Sequence, residues 1–108
     1  MDDKYLVEKF GYVIVSRFVI HDRHPVVEMF RDAPDMNRVL PFSGWVFAAG
    51  LEGDQEDLAY YSVRSLLAAD PSVEAFLDEP VGSRFYRNDE GVFERVLFEP
   101  KNDEDWSA

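Results

Sequence analysis

The side chains best suited to chemistry in this sequence are its two histidines, His21 and His24, which flank Asp22. Such a pair invites a metal ion or acid–base work. Zinc, however, wants three or four ligands with an ordered outer shell, and the other donors here are ordinary acids. The pair reads as solvated residues of a turn. Ser16, Ser43 and Ser83 carry possible nucleophilic hydroxyls, but none lies in Gly-x-Ser-x-Gly and none has a recognisable base partner. Gly50-Leu51-Glu52-Gly53 lacks the lysine and the helix context of a phosphate loop. Asp54, Glu56 and Asp57 are hard oxygen ligands, yet their spacing is not that of an EF-hand. Carboxylates abound without any two standing out as a glycosidase couple. The expectation is a protein with no catalytic residues, no metal site and no cofactor.

Recognition is the chemistry these residues favour. The 22 Asp and Glu against 11 Lys and Arg leave a formal charge of −11. That sign opposes nucleic-acid backbones and anionic membranes, which need clustered cations. Most of the excess lies in residues 39–83, where eight acids face a single base, Arg64. Tyr60 and Tyr61 follow the acidic run 52–57 directly, and Trp45 precedes it. Aromatic side chains beside a charged rim have the composition of a protein-binding hot spot. The candidate partner-binding residues are Trp45, Glu52, Asp54, Glu56, Asp57, Tyr60, Tyr61 and Arg17, and the partner they fit is a basic protein. Some of these have structural readings as well. Trp45 and one of the two tyrosines, with Phe47, suit a core, and Arg17 suits an ion pair with Glu28 or another acid across a hairpin.

These residues must be positioned by one domain, since 108 residues with 46% apolar content supply one core. Tyr12 to Ile20 is rich in β-branched and aromatic residues and reads as a strand, and Pro25 to Arg31 as a second. The short link 21–24 makes them a hairpin. After a loop, Asp32 to Phe42, a third strand covers Ser43 to Ala49. Residues 52–57 are too charged to bury and form a solvated loop or a fraying helix start. Ser62 then caps a short helix carrying Val63, Leu66 and Leu67, and Asp70-Pro71 starts another carrying Val73, Phe76 and Leu77. Pro80 and Gly82 end it. A final hairpin joins residues 83–87 to Val92–Phe98 through a turn with Gly91. The class is α+β: an antiparallel sheet of about five strands, ordered β-β-β-α-α-β-β, with two short helices packed on one face. Residues 1–9 read as an N-terminal extension, 10–99 as the domain, and 100–108 as a polar, disordered tail.

The absence of cysteine rules out disulfides and thiolate chemistry and fits a reducing compartment. The acidic start is not that of a signal peptide, and Val39–Leu51, the longest uncharged stretch, is too short for a membrane span. A cytoplasmic protein without nucleic-acid or membrane partners follows. It is a monomer or a homodimer, because sheet edges invite pairing while surplus acids oppose it.

Several blocks converge in order and spacing: Ile14-Val15-Ser16-Arg17-Phe18-Val19, Pro25-Val26, Met29-Phe30-Arg31-Asp32-Ala33-Pro34, Ser43-Gly44-Trp45, Tyr61-Ser62-Val63, Asp70-Pro71 and Pro80-Val81-Gly82-Ser83-Arg84-Phe85. Over roughly residues 10–95 the chain resembles a bacterial family first catalogued as a domain of unknown function. That family was later placed thirty-third among the immunity proteins of polymorphic-toxin systems. The resemblance implies an intracellular, non-catalytic protein that neutralises a cognate toxin by binding it. The contact surface would be residues 52–61, with Trp45 and Arg17 contributing. Family members often carry an acid just before the Ser-Gly-Trp block, where this chain has Phe42. The alternatives are a housekeeping interaction or regulatory module of the same fold, and a small hydrolase built on acids with His21 and His24.

Overall fold

The structure is a computed structural model that describes residues 11–37 and 39–96. The described residues form a six-stranded sheet. The strands are β1 (Tyr12–Ser16), β2 (Glu28–Arg31), β3 (Phe42–Ala48), β4 (Leu58–Ser62), β5 (Arg84–Arg87) and β6 (Phe93–Arg95), in spatial order β4-β1-β3-β2-β5-β6. Helix α1 (Arg17–Asp22) follows β1, and α2 (Val63–Ala69) follows β4. Two 3₁₀ segments, Gln55–Asp57 and Pro71–Phe76, complete the elements. The pair β1–β3 is parallel and every other pair antiparallel. This is the expected α+β architecture, a mostly antiparallel sheet with short helices.

Its core forms on one face. Val13 and Val15 of β1, Met29 of β2, Trp45 and Phe47 of β3 and Phe85 of β5 bury against Val19 of α1, Val63 and Leu66 of α2, and Val73 and Leu77. Alternate strand residues point to opposite faces, so these positions select the covered one.

Four local expectations are corrected. The strand over 12–20 ends at Ser16, whose hydroxyl accepts the Phe18 N–H at 3.2 Å and caps α1. One serine oxygen thus redirects a β-branched run into a helix, because it satisfies a backbone donor that a continuing strand would pair elsewhere. Arg23, at φ 57°, closes α1 in the left-handed conformation. Secondly, β1 and β2 form no hairpin. They lie on either side of β3, and β2 covers only Glu28–Arg31 of the expected 25–31. Thirdly, the chain leaves its acidic loop as a strand, β4, which pairs along β1 and raises the strand number to six. Lastly, the segment after Asp70-Pro71 is a 3₁₀ helix rather than an α-helix. Asp70 still caps it, accepting the Ser72 N–H at 3.1 Å.

The third strand carries a bulge. Tyr12 pairs with Phe42 but Ile14 with Val46, so β3 has extra residues at Ser43-Gly44. Gly44 sits at φ +97°, and a Cβ there would lie 2.0 Å from the Asp32 carbonyl oxygen. Beyond the bulge Trp45 and Phe47 both face the core.

The expected extension 1–9, the tail 100–108 with Trp106, and the end of the last expected strand lie outside the described residues. Among the described residues no helix is long and apolar enough to cross a membrane.

Candidate functional site

The acidic segment is folded by its own carboxylates. After β3, Glu52 turns back and accepts the N–H groups of Ala49 at 2.9 Å and Gly50 at 3.0 Å. Partial burial pushes its carboxyl up. Hydrogen bonds from the Ser16 hydroxyl and from the backbone N–H groups of Ala49, Glu52 and Gly50 outweigh this and leave its pKa below the ordinary glutamate value. Asp57 is buried at the far end of the loop and accepts the Gly53 N–H at 2.7 Å, the Asp54 N–H at 3.3 Å and the Arg17 Nε–H at 2.7 Å. The Gly53 bond first, then Arg17, holds its pKa below the ordinary aspartate value. Asp54 in turn accepts the Glu56 N–H at 2.8 Å and closes a capping box with Asp57.

The eight expected contact residues therefore divide. Asp54 and Glu56 are exposed at the loop tip, and Tyr60 is 37% exposed on β4, its ring edge-on to Phe42 with centroids 5.7 Å apart. The Arg17 side chain is 57% exposed while its guanidinium grips Asp57. Its partner acid is thus Asp57 across the β1–β4 edge, whereas Glu28 pairs with Arg84 at 2.9 Å. Glu52 and Asp57 are turned inward to hold the loop. Tyr61 packs partly buried against the core. Trp45 is fully buried, stacks on Phe47 at 5.6 Å and donates its indole N–H to the Leu77 carbonyl at 3.0 Å. The fold thus brings Arg17, Glu52, Asp54, Glu56, Asp57 and Tyr60 to one edge of the sheet and keeps Trp45 beneath the other face.

A second surface escaped the sequence reading. Tyr60, Ile14, Val46, Phe30 and Arg84 occupy one row of paired positions across five strands. Val96 joins Arg84 through a backbone hydrogen bond of 2.8 Å. The next row runs Ala48, Glu28, Tyr86 and Glu94. These positions alternate with the core residues, so they face away from the helices. Tyr86 is 53% and Val96 42% exposed. The Arg84 guanidinium lies 4.7 Å over the Phe30 ring, beside a groove of about 420 Å³ lined in part by Phe30, Asp32, Arg84 and Val96. The signal was present in the alternation of β2 and β5, but it has meaning only once the covered face is known.

The histidines converge with nothing. His21 is exposed in the last turn of α1, and His24 Nδ1 lies 2.8 Å from the Pro25 carbonyl oxygen. Among the described residues, no three His, Cys, Asp or Glu side chains are grouped to hold a metal ion. The most buried ionic cluster joins Asp70 to Arg87 at 3.0 Å and to the Val26 N–H at 2.9 Å, and it ties the 3₁₀ segment to β5. That role is structural.

Against known proteins, a family model described as the immunity protein Imm33 domain matches residues 13–97. No curated protein and no solved structure gives a significant match.

Proposed function

Because the chain belongs to the immunity protein Imm33 domain family, we propose that it protects its host cell by binding a cognate toxin directly, with no catalysis of its own. The observation that carries this reading is the β1–β4 edge. There a folded acidic loop presents Asp54 and Glu56 beside an exposed tyrosine, on a protein of net charge −11. Such an edge suits a basic protein surface, because opposite charge speeds encounter and an aromatic anchor slows departure. The loop's own acids close its backbone hydrogen bonds, which reduces the ordering entropy lost on binding. Toxin domains that act on nucleic acid are commonly basic, and an acidic inhibitor can occupy the surface that their substrate would take.

In the test, the toxin gene adjacent to this one is expressed with and without this chain. Restored growth together with co-purification of the pair supports the reading. A toxin that kills equally in the presence of the folded chain, or an absence of any toxin gene beside it, overturns it.

A further inference from the structure

We propose that Arg17 sets the specificity of the toxin contact. Its guanidinium takes a carboxylate of the toxin, so the edge recognises an acid set among lysines and arginines rather than positive charge alone. The inference rests on the immunity reading above and names the partner chemistry at that same edge.

Arg17 spends its donors differently from the arginines that brace the fold. Arg31 and Arg87 each donate from Nε and from an amino group to acceptors within the protein. Arg17 donates from Nε alone, to Asp57 Oδ1 at 2.7 Å, and among the described residues its two amino groups have no hydrogen bond. The side chain is nevertheless held in place. Its guanidinium carbon lies 4.9 Å from the centroid of the Phe18 ring, and the side chain stays 57% exposed. The two amino groups form the end of the planar fork, an edge that matches a carboxylate through two parallel hydrogen bonds. A fork already oriented loses less rotamer freedom on binding.

The neighbouring acids are already committed. Asp57 Oδ2 accepts the Gly53 and Asp54 N–H groups, and the two Glu52 oxygens accept those of Ala49 and Gly50. Nor does α1 call for a cation at this place. Arg17 is its first residue, where the positive end of the helix opposes one. A uniformly positive partner would repel the guanidinium and leave its donors without acceptors once water is expelled. A carboxylate on the partner removes both penalties. Asp54 and Glu56, exposed on the same edge, then pair with the cations around it. The edge thus carries a pattern of one positive and two negative groups, and the surface that fits it carries the complement.

The experiment uses the purified product of the adjacent toxin gene as the probe. Its association and dissociation rates are measured on the wild-type chain, on Arg17→Gln, on Asp57→Asn and on the double variant. Arg17→Gln makes the chain one charge more negative, so long-range attraction to a basic partner is kept or raised. We expect association to be no slower and dissociation about tenfold faster, by the same factor in the Asp57→Asn background as in the wild type. Equal or tighter binding by Arg17→Gln overturns the inference and leaves the immunity reading standing. An effect that vanishes in the Asp57→Asn background also overturns it, since Arg17 then acts only by holding the loop. No binding by the wild-type chain overturns both readings.

Discussion

Asp70 shows how much one carboxylate can hold together. Its side chain is only 10% exposed and accepts the Val26 and Ser72 N–H groups while pairing with Arg87, which also donates its Nε–H to the Val26 carbonyl at 2.7 Å. Asp70→Ala removes the counter-charge of a part-buried guanidinium, which keeps its neutral acceptors, and leaves the buried Val26 N–H without an acceptor. It is expected to cost about 3 kcal/mol, read as a lower urea midpoint at unchanged slope. Glu52 and Asp57 act similarly on the loop, and their lowered pKa values give stability a definite pH dependence. The folded state holds their protons more weakly than the unfolded chain does. Their contribution is therefore complete above the ordinary carboxylate values, near ~4, and is lost as pH falls through the lower folded values. Thermal unfolding followed from pH 7 to pH 3 should be flat at first and then fall, and the fall should be shallower in Asp57→Asn.

At the scale of elements, two small features decide the topology. The Ser16 cap ends β1 and starts α1, and its hydroxyl also bonds to Glu52, linking the helix start to the acidic loop. Ser16→Ala should cost about 1 kcal/mol by denaturation and more than a surface cap would, since the site is fully buried. The bulge at Gly44 lets β3 pass close to the Asp32 backbone, whose N–H donates to the Gly44 carbonyl at 2.7 Å, ahead of Trp45 and Phe47, which share the face turned to the helices. Any side chain at position 44 meets the Asp32 carbonyl and a positive φ at once. Gly44→Ala is therefore expected to lose at least ~2 kcal/mol and to shift the near-UV signal of the buried Trp45.

The whole molecule gathers most of its charge excess at residues 39–83 and folds part of it into one edge of the sheet. Association with a basic toxin should then slow steeply as salt rises from low to physiological ionic strength. Glu56→Lys, at an exposed position whose side chain does not cap the loop, should lower the association rate about threefold while leaving the unfolding curve unchanged. Much of this could be read from residue types alone. Strand and helix formers, the Asp70-Pro71 start, the Gly91 turn, the acidic run and the tyrosines beside it are local, because backbone propensity, capping and charge act within a few residues. Arg17 was a candidate from the start, yet its partner Asp57 is forty positions away and becomes adjacent only when β4 pairs with β1. Trp45 and Tyr60 are equally aromatic in sequence. One is in the core and the other at the surface because strand order and pairing register determine which face each occupies. Composition and spacing thus settle the class, the charge and the list of candidates. Pairing across the sheet decides which acids fold the loop and which stay exposed, since a carboxylate's role depends on the donors brought within ~3 Å of it.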